Sequence, residues 1–217
     1  AEQTATATTL DIGGAGDLNL TVAANATLTT VDGGDMTGVL TYTANNANMT
    51  VTGGSGNDQL TVSATADSGT FNGGAGNDTF MVAASADLVT LNGGAGADTF
   101  DFNGVSTTDS NYAVIQGVDS GDTIDLGDLG VNAFNSTAVT LSVGATETTQ
   151  AFQEAAVNTL AMNAAGFFQT GGNTFIVADR DGTTDYNGGL DFTVVITGLV
   201  DLSTASFNAT DSTLEIA

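Results

Sequence analysis

The chain has 217 residues, 41% of them hydrophobic, so it can fill the core of one or two domains. Its 25 acidic residues face one basic residue, Arg180, and it has no histidine or cysteine, which gives a formal net charge of −24. This composition excludes disulfides and thiolate metal sites, argues against nucleic acid as a partner, and leaves no ordinary nucleophile and base pair. We therefore expect no enzymatic activity. We also expect no membrane insertion, because no apolar run of about 18 residues occurs.

A repeat of 20 residues organises the first half of the chain. Glycine pairs begin at Gly13, Gly33, Gly53, Gly73 and Gly93. Apolar residues follow at alternate positions, which is the period of a strand with one buried face. The expected apolar files are Leu20, Leu40, Leu60, Phe80 and Phe100; Val22, Tyr42, Val62, Val82 and Phe102; and, on a second strand, Val31, Val51, Phe71 and Leu91. This period predicts an all-β parallel β-solenoid with two short strands per coil.

Three consecutive rows share one motif, which reads GGSGNDQLTV, GGAGNDTFMV and GGAGADTFDF. Each copy places an aspartate at the same offset, at Asp58, Asp78 and Asp98. Stacking brings these carboxylates within about 5 Å of one another, where unpaired charges repel. A hard cation with about six to eight oxygen ligands would remove that repulsion, which favours calcium over magnesium or zinc.

The three copies resemble the GGxGxDxUx nonapeptide of calcium-binding RTX repeat proteins. The resemblance implies a parallel β-roll with one calcium ion between the loops of Asp58 and Asp78 and another between those of Asp78 and Asp98. In the common family form both bends of a coil carry the nonapeptide. Here only one bend does, so we expect a single column of ions. The candidate metal ligands are Gly53, Ser55, Asp58, Gly73, Ala75, Asp78, Gly93, Ala95, Asp98, Gly117, Asp119 and Asp122.

The first two rows depart from the motif. In row one Asp17 stands one place earlier than the later aspartates. Row two keeps its glycines and lacks the aspartate, although Asp32 or Asp35 is a candidate for a weaker site with the loop at Gly53. Terminal repeats of solenoids are commonly atypical, so we expect both rows to stack without complete ion sites.

A sixth row closes the predicted roll after an insertion that follows Phe102. Aligning Gly117 with Gly93 places Asp122 opposite Asp98, which makes Asp122 the candidate partner of Asp98. Asp119 either contributes to this site or belongs to a plain acidic turn.

The 20-residue period is lost from Gly127 onward, so we divide the chain into a roll (residues 1–126) and a capping domain (residues 127–217). The predicted elements of the second domain are a strand from Ala138 to Val143, a helix carrying Phe152, Ala156, Leu160 and Ala164 that stops at Gly166, a β-hairpin around Gly171 and Gly172, and a strand from Phe192. This part resembles the tails that follow RTX blocks in bacterial S-layer and other type I secreted proteins. In such proteins the tail caps the roll and holds the secretion signal.

An acidic segment between the hairpin and the last long strand is a second candidate cation site. It contains Asp179, Asp181, Asp185 and Asp191. Alternate aspartates followed by a glycine loosely resemble the start of an EF-hand loop, but the closing glutamate is missing. The alternative is a solvated acidic loop with Arg180 as its countercharge.

Two functions are consistent with these features. The first is a calcium-dependent extracellular structural protein, an S-layer or surface filament subunit that is secreted unfolded, folds on calcium and associates with itself at the cell surface, with a cell-surface glycan as a candidate ligand. The second is the C-terminal RTX carrier or secretion domain of a larger adhesin, toxin or hydrolase. The lack of catalytic residues and of positive charge favours the first function.

Overall fold

The computed structural model describes residues 7–22, 27–63, 68–83, 89–104, 112–127, 131–139, 153, 156–179 and 191–217. Within these ranges the backbone forms 18 strands in two sheets, and only Gln153, Ala156 and Val157 have α-helical conformation. None of the helical residues described belongs to a segment long and apolar enough to cross a membrane. The all-β prediction is confirmed.

The strands lie in two sheets that enclose the larger of two buried hydrophobic clusters. In chain order they are β1 (Thr9–Gly14), β2 (Leu18–Leu20), β3 (Thr30–Met36), β4 (Leu40–Ala44), β5 (Thr50–Gly54), β6 (Gln59–Val62), β7 (Thr70–Ala75), β8 (Thr79–Ala83), β9 (Thr90–Ala95), β10 (Thr99–Gly104), β11 (Tyr112–Gln116), β12 (Thr123–Asp125), β13 (Ala133–Asn135), β14 (Ala164–Thr170), β15 (Asn173–Asp179), β16 (Phe192–Ile196), β17 (Ser206–Asn208) and β18 (Thr213–Glu215). The first sheet has the order β1-β3-β5-β7-β9-β11-β16-β15-β14-β13, and the second has the order β17-β18-β12-β10-β8-β6-β4-β2.

Successive coils of a parallel β-solenoid supply one strand to each sheet. We number the coils one to six, from the pair β1 and β2 to the pair β11 and β12. Between coils three, four and five the register is 20 residues, so that Val51 lies beside Phe71 and Phe71 beside Leu91. Like residues therefore stack inside the core, where the rings of Phe80 and Phe100 lie 5.3 Å apart and almost parallel. The predicted β-solenoid of about 20 residues per coil is confirmed.

The predicted apolar files of the second sheet are wrong in the second coil. Leu20 lies beside Tyr42, and Tyr42 lies beside Leu60, so the file contains Tyr42 where the repeat predicted Leu40. The reason is an exchange of length between the two bends of coil two. In coil two the glycine bend, from Gly33 to Leu40, is two residues longer than the corresponding bend of coil three, from Gly53 to Asp58. The opposite bend of coil two is two residues shorter than that of coil three. Because the two differences cancel, the coil keeps its length and the repeat gives no sign of the shift.

The C-terminal strands extend both sheets of the roll. β16 pairs in parallel with β11, and β18 pairs antiparallel with β12. Ile115 and Ile124 of the sixth coil belong to the same buried cluster as Val194 and Leu214. The sixth coil is thus covered in both sheets, as expected of a capping region. The division at residue 127 stays a prediction.

Two of the elements predicted for the C-terminal region need correction. Ala164 is the first residue of β14 and pairs with Asp179 of β15, so the helix does not reach Gly166. Helical conformation ends at Val157, residues 158–163 form turns and irregular structure, and the antiparallel hairpin begins at Ala164. Ala138 and Val139 are not in a strand, and the rest of that predicted strand, residues 140–143, lies outside the described residues. The hairpin and the strand from Phe192 are confirmed.

Candidate metal centre

Four aspartates lie directly above one another at the glycine bends of coils three to six. We call Asp58, Asp78, Asp98 and Asp122 the aspartate column. Each precedes a strand of the second sheet, and the register of those strands, such as Thr99 beside Thr123, places the carboxylates in line. Each is at most 1% exposed. The carboxylates therefore point into the molecule, and the predicted alignment of Asp122 with Asp98 is confirmed.

One oxygen of each carboxylate accepts a backbone hydrogen bond from the coil before it. Asp58 Oδ1 accepts from Leu40 N (2.7 Å), Asp78 Oδ1 from Asp58 N (2.7 Å), Asp98 Oδ1 from Asp78 N (2.8 Å) and Asp122 Oδ1 from Asp98 N (2.9 Å). These bonds tie successive bends together along the axis of the roll. Because an ionised acceptor strengthens a hydrogen bond, they favour charged carboxylates.

The other oxygen has no partner at three of the four positions. The Oδ2 atoms of Asp58, Asp78 and Asp98 are buried and make no hydrogen bond with any described part of the chain. A buried polar atom left without a partner costs about 1–3 kcal/mol, and a charged one costs more. Hydrogen bonds from the described residues therefore leave three carboxylate oxygens of the aspartate column unsatisfied.

Glycines leave the space into which these free oxygens point. A Cβ built on Gly53 would lie within 3.0 Å of Asp58 Oδ2 and 2.6 Å from the Gly73 carbonyl oxygen. A Cβ on Gly73 would meet Asp78 Oδ2 and the Gly93 carbonyl oxygen, the latter at 2.7 Å. A carboxylate oxygen and a carbonyl oxygen of the next coil thus approach the same point beside the first glycine of the pair.

The second glycine of each pair permits close stacking of the coils. Gly74 and Gly94 have φ angles of 111° and 103°, a region that favours glycine. A Cβ on Gly74 would strike the carbonyl oxygen of Gly54, and one on Gly94 would strike that of Gly74. The glycine pair therefore has two roles: the first residue faces the carboxylate, and the second faces the neighbouring backbone.

Burial raises the pKa of every carboxyl group in the aspartate column. The pKa of Asp78 is raised to about 7, chiefly by desolvation. The hydrogen bond from Asp58 N lowers this pKa, and the negative charges of Asp58 and Asp98 raise it further. The pKa values of Asp58, Asp98 and Asp122 are also raised, chiefly by desolvation. Near neutral pH the column holds negative charge at a substantial free-energy cost.

The sixth coil differs from the others because both oxygens of Asp122 have partners. Asp122 Oδ2 accepts a hydrogen bond from Asp119 N (2.9 Å) within the turn before it. The Asp119 side chain itself is exposed. Asp119 thus contacts Asp122 through its backbone, which the sequence did not show.

The second coil places a leucine in the same column. Leu40 N is the donor to Asp58 Oδ1, so Leu40 stands where the later coils have aspartate. A Cβ on Gly33 would lie 3.2 Å from Leu40 Cδ2 and 2.5 Å from the Gly53 carbonyl oxygen. An apolar group therefore fills in coil two the space that the free carboxylate oxygen takes in coils three and four.

The remaining predicted ligands lie outside this interior space. Ser55 and Ala95 are exposed and Ala75 is half-buried, and the Ala95 carbonyl oxygen accepts a hydrogen bond from Gly76 N (2.9 Å). Gly117 is exposed and has a φ of 69°, so the chain turns out of the first sheet there. Their role as carbonyl ligands stays a prediction.

The acidic candidates of the first two coils are exposed. Asp17 Oδ1 accepts a hydrogen bond from Val39 N (2.9 Å), and Asp32 Oδ1 accepts one from Gly34 N (3.0 Å). Asp35 is also exposed. The weaker site with the loop at Gly53 stays a prediction.

Only two aspartates of the acidic C-terminal segment can be placed. Asp179 and Asp191 are 2% and 3% exposed at the end of β15 and just before β16. Asp181, Asp185 and Arg180 lie outside the described residues.

Sequence reasoning missed a second column beside the aspartates. Asn57 Oδ1 accepts a hydrogen bond from Asn77 N (2.9 Å), and Asn77 Oδ1 accepts one from Ala97 N (3.0 Å). Asp17 takes the same role toward Val39 N, which explains its place one residue early. The recurrence of Asn before Asp in GND, at Asn57 and Asn77, was the available signal.

The chemistry of this centre is limited to single carboxylates with backbone oxygens. In the part of the chain that the structure describes, no three acidic, imidazole or thiolate side chains converge on one point. An unpartnered anionic oxygen beside carbonyl oxygens fits a hard cation and does not fit a soft one. Alternatively, the unpartnered oxygen could carry a proton and donate a hydrogen bond to the neighbouring carbonyl oxygen.

Comparison with known proteins adds no assignment. No protein-family model matches the chain, and no curated protein sequence matches it.

Proposed function

We propose that the chain is a calcium-dependent extracellular structural protein, a self-assembling S-layer or surface filament subunit that is secreted unfolded by type I secretion. One observation carries this proposal: three buried carboxylate oxygens, stacked one per coil, have no hydrogen-bond partner among the residues that the structure describes. Asp58, Asp78 and Asp98 would hold the ions together with glycine-loop carbonyl oxygens. The ions would neutralise the column.

Calcium would stabilise the folded state by mass action. An ion that binds the folded chain and not the unfolded one adds about 2.7 kcal/mol per site at a concentration of about 100 times its Kd. The chain has a net charge of −24 and one basic residue, so few ion pairs are available to offset self-repulsion. Folding would follow the calcium concentration.

The small number of charged oxygen ligands at each proposed site favours a location outside the cell. Calcium affinity falls as a site has fewer charged ligands, down to Kd values of about 10⁻⁴–10⁻³ M in extracellular modules. Each unpartnered oxygen belongs to a carboxylate whose other oxygen is already hydrogen-bonded. Such sites would fill only where calcium is abundant, which agrees with a protein that stays unfolded until it is exported.

The test compares the protein in calcium and in EGTA. We expect far-UV circular dichroism to show β structure in calcium and its loss in EGTA, and we expect electron microscopy to show sheets or filaments only in calcium. An unchanged spectrum in EGTA would refute calcium-linked folding. Monodisperse monomers in calcium would refute self-assembly and leave the folding proposal intact.

One observation favours a second candidate, the C-terminal module of a larger RTX protein. Gly38, Gly56, Gly76 and Gly96 each stand where a Cβ would lie within 3.0 Å of the preceding coil's backbone. Gly16 continues this column, yet no atom of the described chain lies within 4 Å of the place its Cβ would take. A further coil stacked on the first one would explain a glycine there.

A further inference from the structure

The four positions of the aspartate column differ in the partners that the fold provides. We propose that the ion column ends before the sixth coil: Asp58 and Asp78 form the two tight calcium sites, Asp98 forms a weaker one, and Asp122 is a permanent metal-free position. This inference rests on the proposed calcium binding and specifies which coils carry it.

The two tight sites have the same pair of oxygens. At Asp58 and Asp78 the free Oδ2 shares the space beside the first glycine with the carbonyl oxygen of the following coil, from Gly73 and Gly93 respectively. Coil four lies between neighbours in 20-residue register, and coil three has this register with coil four. Each ion would therefore contact two successive coils.

At Asp98 the second of these oxygens is farther away. The three atoms nearest to a Cβ on Gly93 all belong to Asp98, and the third of them is 3.1 Å away. The counterpart of Gly93 in the next coil is Gly117, where the chain turns out of the first sheet. An ion at Asp98 would therefore have its carbonyl ligand from the next coil farther away.

Asp122 needs no ion because two backbone N–H groups satisfy its carboxylate. Asp98 N donates to Oδ1 and Asp119 N donates to Oδ2, both at 2.9 Å. An N–H group aimed at Oδ2 would also repel a cation. The turn before Asp122 therefore takes the place of the metal and ends the column on the side of the C-terminal cap.

Asparagine substitutions distinguish the two kinds of position. In Asp78→Asn, Oδ1 still accepts from Asp58 N, and the new N–H donor faces the Gly93 carbonyl oxygen. In Asp122→Asn the new donor faces the Asp119 N–H, so two donors oppose each other. The same change should stabilise the metal-free protein at position 78 and destabilise it at position 122.

The experiment counts calcium ions by equilibrium dialysis and measures urea unfolding by circular dichroism, with and without EGTA. We expect Asp78→Asn to lose one tight ion and to raise the urea midpoint in EGTA. We expect Asp122→Asn to bind as many ions as the wild type and to lower the midpoint by similar amounts in both conditions. Loss of an ion in Asp122→Asn, or a raised midpoint in EGTA, would overturn the inference.

Two controls keep the result interpretable. If Asp122→Asn does not fold, NMR of the Asp119 amide in the wild-type protein replaces that test. We expect this amide to exchange its hydrogen slowly in calcium, and we expect its resonance not to shift during a calcium titration. A shift as large as that of the Asp78 amide would contradict the inference. A wild type that binds no calcium would instead overturn the proposed function itself.

Discussion

Coils two and four place different side chains at one position of the same column. Leu40 fills the space beside Gly33 with a methyl group, whereas Asp78 brings a carboxylate to the space beside Gly73. Both side chains are fully buried, at 0% and 1% exposed. The solenoid therefore accepts either an apolar side chain, which needs no partner, or a carboxylate, whose second oxygen needs a cation, a proton or, as at Asp122, a second N–H donor.

The largest effect is expected when the apolar position is made anionic. Leu40→Asp removes a buried leucine and adds a carboxylate beside the Gly53 carbonyl oxygen. We expect the free energy of unfolding in EGTA to fall by about 4 kcal/mol, because large-to-small core substitutions cost about 2–5 kcal/mol and an unpartnered polar group costs about 1–3 kcal/mol. Urea unfolding followed by circular dichroism measures it. Saturating calcium should recover part of the loss; no recovery would show that the space does not accept an ion.

A methyl group beside the carboxylate should have the next largest effect. In Gly73→Ala the new Cβ would overlap Asp78 Oδ2 and approach the Gly93 carbonyl oxygen. Overpacking of this kind costs about 1–3 kcal/mol, and we expect the upper end because a backbone atom must move. Gly16→Ala is the matched control, since its Cβ would meet open space. Equal thermal stability of the two variants would contradict the close approach.

A smaller effect is expected from pH, with opposite signs for the metal-free and calcium-bound protein. The folded-state pKa of Asp78 is raised to about 7, well above the usual value of about 3.9. The folded state thus binds the proton more tightly, and this stabilisation is lost as pH rises through about 7. In EGTA the urea midpoint should fall from pH 5 to pH 8. In calcium it should rise, because the ion needs the ionised carboxylate.

The pH prediction has a control for general charge repulsion. Asp78→Asn should flatten the fall in EGTA, whereas Asp35→Asn, at an exposed position, should leave its slope unchanged. If both variants flatten it equally, the pH dependence comes from the net charge and not from the aspartate column.

The smallest effect concerns the neighbouring asparagine column. Asn77→Ala removes the acceptor of Ala97 N at an exposed position. We expect a loss of about 1 kcal/mol, the usual contribution of a hydrogen bond. The loss should be the same in calcium and in EGTA when measured by thermal unfolding. A loss only in calcium would place Asn77 among the metal ligands.

Sequence reasoning succeeded where one residue type recurs at one interval. From Gly53 to Phe102 the register and the inward aspartates followed from the repeat, because stacked coils bring identical residues together. It failed in coil two, where the longer glycine bend and the shorter opposite bend cancel in the count. Leu40 was therefore assigned to the wrong file.

The partners of Asp122 could not be predicted for a different physical reason. Whether its second oxygen meets an ion or the Asp119 N–H depends on the path of the turn, and a turn of this kind has no periodic pattern. The helix boundary failed similarly, since local spacing favoured a helix through Ala164, whereas pairing with Asp179 favoured a strand. Both outcomes depend on contacts between distant parts of the chain.

The backbone-to-carboxylate bonds along the column have a consequence for how the molecule can change length. Each carboxylate accepts a hydrogen bond from the coil before it. For both Asp78 and Asp98 the donor is the backbone N of the aspartate 20 residues earlier, and the acceptor is Oδ1. Deleting residues 73–92 would bring Asp58 N opposite Asp98 Oδ1 and join Asn72 to the glycine pair at Gly93, which Asn92 precedes in the parent chain. Duplication or loss of one unit in the gene would therefore alter the reach of the roll in fixed steps while every surviving contact keeps its type.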